Sequence, residues 1–286
     1  MAITDVGLDV RDLDALERDA VATPPLAGRL WSGIWPPVLA LIALIVVWEL
    51  VYLAHVKPHS LLPSPADVAS SLRQHAANGE LWRDLWGSTH RAVLGFLVAL
   101  AIGTPLGALL GRVKLLRRMF QPIVSGLQSL PSVAWVPAAV IWFGLSPSTI
   151  YFVVLMGAIP SVTNGTIAGL DQVPPLFTRV GTVLGARGLT MARLVLLPAA
   201  LPTYIGGLRQ GWAFAWRSLM AAELIAYSAR LGGGLGQLLN QGQELVDEST
   251  VLGAILMILV VGIVIELGVF APVERRVLHN RGLTGR

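Results

Sequence analysis

The chain has 286 residues, of which 54% are hydrophobic and 13% charged, with no cysteine and a formal net charge of +4. A soluble domain is about 25% charged, so this composition excludes a disordered or highly charged binding protein and argues against a simple soluble enzyme. The absence of cysteine removes disulfide scaffolds, thiolate metal sites and cysteine nucleophiles. A mean hydropathy of +0.67 favours one polytopic membrane domain over two soluble ones.

Residues 1–34 carry Asp5, Asp9, Asp12, Asp14, Glu17 and Asp19 against Arg11, Arg18 and Arg29, and read as a solvated tail. A secretory signal would begin with a short basic region and then an apolar run; here the apolar run starts only near residue 36. Crossing the hydrocarbon core takes about 20 apolar residues as helix. Stretches at about 36–55, 92–111, 120–145, 149–170, 198–226 and 250–272 qualify. They predict an all-α fold of six transmembrane helices within residues 35–275. Glu49 is the sole charge of the first span and reads as structural. The third is interrupted by Pro122, Pro131 and Pro137, the fourth by Pro160, and the fifth carries Pro202, Arg209, Arg217 and Glu223. Several such breaks suggest helices lining a cavity, where freed backbone groups find partners other than lipid. Residues 66–86 are amphipathic and predict an external helix.

Basic residues concentrate in 112–118 (Arg112, Lys114, Arg117, Arg118), in 171–197 (Arg179, Arg187, Arg193) and in the end of the chain (Arg275, Arg276, Arg281, Arg286). The alternate connections are poorer in them. With an even span count, this places both termini, including the tail 276–286, in the cytoplasm. The pI near 10 is then a topology signal and not a nucleic-acid footprint.

Small residues recur every fourth position: Gly103, Gly107 and Gly111; Gly157, Ser161, Gly165 and Gly169; Ala199, Thr203, Gly207, Gly211 and Ala215. Such stripes let helix backbones approach closely in lipid. They fit packing within one subunit, a subunit interface, or the wall of a pathway.

No catalytic constellation stands out. The only lysines are Lys57 and Lys114, and neither follows a glycine-rich loop, so there is no phosphate loop. The run Gly232-Gly233-Gly234-Leu235-Gly236 lacks a lysine and reads as a turn. His55, His59, His75, His90 and His279 are scattered and predict no metal site. Energised work by this chain would draw on another polypeptide.

The stretch 171–202 has two prolines at its start, helix-compatible sequence, Gly185, and Pro198 thirteen residues later. It resembles the "EAA" loop of permease subunits of bacterial ABC importers. Aligned on Pro198, the pattern's glycine falls on Gly185, its isoleucine on Val195 and its leucine on Leu197. The Glu-Ala-Ala itself falls on Arg179, Val180 and Gly181, and does not match. Further pieces are similar to the sulfonate/nitrate/taurine-type permeases: Trp48-Glu49-Leu50, Leu61-Leu62-Pro63-Ser64-Pro65, Ser88-Thr89-His90-Arg91, the run from Gln128 to Pro137, Trp142-Phe143-Gly144, and Ala221-Ala222-Glu223-Leu224.

The resemblance implies a type I importer transmembrane subunit in the bacterial inner membrane. Its partners would be a second copy of the chain, two ATPase subunits that carry the ATP and Mg, and an extracytoplasmic binding protein. No cofactor is expected on this chain. Coupling to the ATPase would fall on Arg179, Gly181, Gly185, Ala186, Arg187, Gly188 and Pro198. The substrate class stays open among sulfonates, taurine, nitrate, bicarbonate and small heterocycles, and the arginines of the fifth span favour a small anion such as a sulfonate, taurine or nitrate. Pathway candidates are Gln128, Pro131, Trp135, Arg209, Trp212, Arg217 and Glu223. Ionisable residues in a membrane usually face a cavity or a partner, so Arg217 and Glu223 fit either a gate or ion pairs to other helices. The tryptophans fit either a pathway face or packing. An ion-coupled secondary transporter is the alternative, with substrate and ion sharing a midplane site.

Overall fold

The computed structural model describes residues 26–56, 58, 61–226 and 232–279. The acidic tail expected at 1–34 therefore lies mostly outside the described residues, as do His59, Arg281 and Arg286. The chain divides into two compact units, residues 1–65 and 66–286.

In the first unit, α1 (Leu26–Leu53) occupies the first expected span. Leu39, Leu41, Leu44 and Val47 are exposed, an apolar surface suited to lipid. Trp48 Nε1 donates to the Pro63 carbonyl at 3.2 Å, tying the following loop back to the helix.

Among its described residues the second unit is built of helices joined by short turns. In chain order it contains α2 (Pro65–Ala77), α3 (Glu80–Arg112), α4 (Lys114–Ser129), a 3₁₀ turn (Ser132–Trp135), α5 (Val136–Phe143) and α6 (Pro147–Asp171). Then come α7 (Pro175–Val183), α8 (Gly188–Met191), a π turn (Ala192–Leu196) and α9 (Leu197–Ile225). It ends with α10 (Leu235–Glu244), α11 (Glu248–Ile265), a second π turn (Glu266–Phe270) and α12 (Ala271–His279).

Among the described residues three stretches are individually long and apolar enough to cross a membrane: Glu80–Arg112, Pro147–Asp171 and Glu248–His279. α9 has the length, with 29 residues, but carries Arg209, Arg217 and Glu223. The third expected span is a bent pair, with α4 and the 3₁₀–α5 stretch meeting at 96°. Pro131 is the cause. It forces Leu130 into extended backbone, φ −70° and ψ 126°, and so ends α4. Pro122 stays inside α4 and Pro137 sits in the first turn of α5, so neither breaks the chain. α6 runs on through Pro160.

The core is α6 packed between α3 and α9. Ala92 and Ala99 of α3, Val153, Val154 and Ala158 of α6, and Ala215, Leu219 and Ala222 of α9 are fully buried. The small-residue stripes make these contacts. A Cβ built on Gly165 would lie 2.5 Å from Gly207 Cα, and one on Gly107 would lie 2.6 Å from the Thr163 carbonyl oxygen. Backbone thus meets backbone, which in lipid replaces the missing hydrophobic drive with van der Waals contact. Of the three readings of the stripes, these residues carry packing within one subunit.

Candidate functional site

The connection from α6 to α9 is a helix, a turn and a second short helix. Pro174 and Pro175 open α7, where a missing N–H costs nothing because first-turn donors have no intrahelical partner. The helix closes with two hydrogen bonds: Gly185 N–H donates to Thr182 O at 3.0 Å and Ala186 N–H to Gly181 O at 2.8 Å. This is a Schellman turn, whose C′ residue must be left-handed. Gly185 supplies that conformation with φ +83°. Gly181 contributes space instead, since a Cβ there would lie 3.0 Å from Met191 Sδ and 3.1 Å from Val195 Cγ2. Its bare backbone lets α7 fold against the π turn. Pro198 follows two residues after that π turn. A helical proline ring crowds the carbonyl four residues back, and the wider π backbone at Ala192–Leu196 makes room just there.

The surface so formed is apolar and basic. Leu176, Val183, Leu184 and Leu194 are exposed, and so are Arg179, Arg187 and Gly188. No acidic residue occurs between Asp171 and Glu223. Between α7 and the start of α9 lies an open apolar hollow of about 520 Å³, lined in part by Phe177, Val180, Leu184, Val195 and Pro198. Such a surface suits an acidic partner with apolar ridges.

The seven pathway candidates do not share one surface. Trp212 is buried, with edge contact to Phe96 at 5.6 Å and a stack on Trp216 at 6.3 Å between ring centres. Glu223 is fully buried. Neither can touch a solute in this conformation. Gln128 accepts a hydrogen bond from Asn164 Nδ2 at 2.6 Å, and Trp135 meets Phe152 edge-on at 6.1 Å. Pro131 is exposed at the α4–α5 bend. Arg209 is exposed but engaged, paired with Glu266 and also with Glu274 at 3.4 Å. Arg217 is exposed, donates to the Ala213 carbonyl at 3.0 Å and lies over the Phe214 ring at 4.8 Å.

Glu223 is the centre of a clamp. Its Oε1 lies 3.1 Å from Arg91 Nη1. Its Oε2 accepts from Ser88 Oγ at 2.7 Å and from Gly236 N–H at 3.1 Å. Ser88 Oγ also accepts from Leu235 N–H at 2.8 Å, and Arg91 donates to the Gly233 carbonyl. α3, α9 and the start of α10 are thereby joined around one carboxylate. The glycine run is more than a turn, since a Cβ on Gly234 would lie 2.7 Å from Glu223 Oε2.

Residues 103–277 match the model of the family described as binding-protein-dependent transport system inner membrane component. The chain belongs to this family. It is 30% identical to the taurine transport system permease protein of Escherichia coli, over 85% of this chain and 88% of that one. It is 28% identical to a Bacillus subtilis permease provisionally named for aliphatic sulfonates transport, over 85% and 86%. A riboflavin transport permease of Chloroflexus aurantiacus is 30% identical over 76% and 79%. The inward-facing MetNI methionine ABC transporter shares the fold, with a TM-score of 0.60 at 20% identity, covering 71% of this chain and 98% of that one. The protein is thus an ABC importer permease with the type I fold, a multi-pass inner-membrane subunit and not an enzyme, ATP hydrolysis being carried by a separate ATPase.

The sequence allows Glu223 an ion pair to another helix without naming Arg91 as its partner, and it does not single out the Arg209–Glu266–Glu274 cluster of this permease. One signal was available. Each is an ionisable residue in or beside a span, and such residues demand partners. The partners lie 132 residues apart for Glu223 and Arg91, and 57 and 65 for Arg209 with Glu266 and Glu274, so no local spacing announces them.

Proposed function

We propose that two copies of this permease enclose a translocation pathway for a small anionic solute such as a sulfonate, taurine or nitrate. An extracytoplasmic binding protein delivers the solute and two ATPase subunits dock on 171–197. Both termini face the cytoplasm, and 35–275 is the permease domain. The observation that carries this reading is the exposed apolar and basic knob closed by the Gly185 turn. Its hollow and its arginines, which form no ion pair among the described residues, fit an acidic cleft on a partner.

ATP-driven closure of the two ATPases draws the two knobs together. α7 is packed on the π turn through Gly181, and the π turn leads directly into α9, so displacement of the knob tilts α9. The pathway then opens outward as the binding protein releases its cargo, which is alternating access by rigid helices. ATP and Mg belong to the partner; no cofactor is assigned to this chain. Of the charges on α9, Arg209 is offset by two carboxylates, so attraction for an anion falls on Arg217. Gln128, Pro131 and Trp135 at the bend are the remaining wall candidates. The names of the taurine and sulfonates relatives support an anion.

The test is copurification with the ATPase and ATP-driven uptake in liposomes. Deletion of 179–191 is expected to leave membrane insertion normal while ATPase attachment and uptake are lost. Uptake that follows an ion gradient without any associated ATPase would refute the reading.

A further inference from the structure

Helix α10 ends in a turn built like the one after α7, with an unexpected residue in it. Val246 N–H donates to Gln243 O at 3.2 Å and Asp247 N–H to Gly242 O at 2.9 Å, so Val246 holds the C′ position that favours glycine or asparagine. Its φ is +56°. A β-branched residue is a genuine outlier in left-handed backbone, and such strain persists only where the surroundings enforce it, often at functional positions. The enforcement is visible on both sides. Gly242 packs on Val251, where a Cβ would lie 2.9 Å from Val251 Cγ2. Asp247 caps α11 by accepting from Ser249 N–H and Thr250 N–H at 3.1 and 3.2 Å. Ser71 and Thr250 hydroxyls 2.9 Å apart tie this end to α2.

The valine gains little burial from its own fold, because Val246 is 72% exposed and Leu245 69%. Glu244, Asp247 and Glu248 flank the pair. An apolar tip with Glu244 before it and Asp247 and Glu248 after it, the Asp247 carboxylate turned in to cap α11, is poorly suited to an anionic bilayer surface, which attracts basic segments. It is well suited to a protein recess edged with basic side chains. We propose that Leu245 and Val246 form a contact point for the extracytoplasmic binding protein, inserting into an apolar recess bordered by Lys or Arg. This rests on the importer reading and its orientation, which put the α10–α11 turn outside.

The experiment uses the whole complex in liposomes, with the binding protein of the same importer. It measures the binding-protein concentration that gives half-maximal stimulation of ATP hydrolysis. Val246→Gly and Leu245→Gln are each expected to raise that concentration about tenfold, as loss of an interface anchor does, with basal hydrolysis unchanged. Val246→Gly relieves the backbone, so its defect cannot be ascribed to misfolding. An unchanged half-maximal concentration in both variants, with normal stimulation of the parent, overturns the tip and leaves the importer reading intact. Parent complex that holds its ATPase but never responds to the binding protein overturns both. The chain has no native cysteine, so a fluorophore on Val246→Cys reports the tip alone. A blue shift on adding empty liposomes would assign the tip to lipid and overturn the proposal.

Discussion

The turns after α7 and α10 close with the same two hydrogen bonds, a 6→1 and a 5→2, at the two ends of the α9 bundle. One sets Gly185 at the left-handed position and the other sets Val246 there. Around Gly185 a Cβ would meet nothing within 4 Å, so the glycine is required by the backbone alone. Around Val246 the same backbone requirement is violated on an open surface. The difference teaches that identical helix-end geometry can be reached by obeying local preference or by overriding it. In the first case the residue maintains the shape of the knob; in the second the shape is held by neighbours and the residue is free to serve a contact.

The largest expected effect breaks the first turn. Gly185→Val places a β-branched residue at φ +83°, at a cost of about 1–2 kcal/mol, and tips α7 off the π turn. Membrane insertion and the α3–α6–α9 core are expected to be normal, while ATP-driven uptake falls to background. Uptake at the parental rate would show that the knob's shape is not what couples the permease to its ATPase.

The next effect separates the two ends. Glu223→Gln leaves Arg91 buried without its counter-charge, and breaking a buried pair costs about 3–5 kcal/mol. Thermal unfolding in detergent should record the loss. Hydrogen exchange should then quicken in 232–246, which the clamp anchors, and stay slow around Gly185. Replacing both partners, Arg91→Met with Glu223→Leu, should recover most of the stability, because apolar groups of similar size need no pairing. Equal loosening at both turns would mean that the clamp serves the whole bundle.

A third change acts on what the ends share. Gly165→Ala drives a methyl to 2.5 Å from Gly207 Cα, where two backbones touch and neither can rotate away. Overpacking of this kind costs about 1–3 kcal/mol, and it should lower the thermal midpoint without shifting the relative protection of the two turns.

How much of this was legible in the sequence follows from range. The Gly185 turn, the prolines opening α7 and the glycine stripes obey local rules, so spacing alone places them. The end of α4 at Pro131 is equally local, although the sequence does not distinguish Pro131 from Pro122 and Pro137. What separates them is position within a helix: Pro137 falls in a first turn and Pro122 is tolerated inside α4. The clamp and the Arg209–Glu266–Glu274 cluster depend on contacts between distant helices, and no periodicity encodes them. Trp212 and Glu223 illustrate the consequence. Both have the chemistry of a pathway lining, and packing of α9 against α3 turns both inward. Val246 was invisible for the opposite reason, since the local rule predicts a glycine or asparagine there.

The smallest expected effect is also the one with an unusual sign. Val246→Gly removes a left-handed β-branched residue, worth about 1–2 kcal/mol, and adds glycine's extra chain entropy in the unfolded state, worth about 0.5–1 kcal/mol the other way. The exposed side chain has little packing to lose. A net gain of about 1 kcal/mol or less is expected, read as a small rise in thermal midpoint. Gly185→Val and Val246→Gly then form a reciprocal pair on one geometry: the first should lose function at modest cost in stability, and the second should gain stability while weakening the response to the binding protein. A fall in midpoint for Val246→Gly would mean that the valine is held by contacts within the permease, and the exposed turn would lose its claim to be strained for a partner's sake.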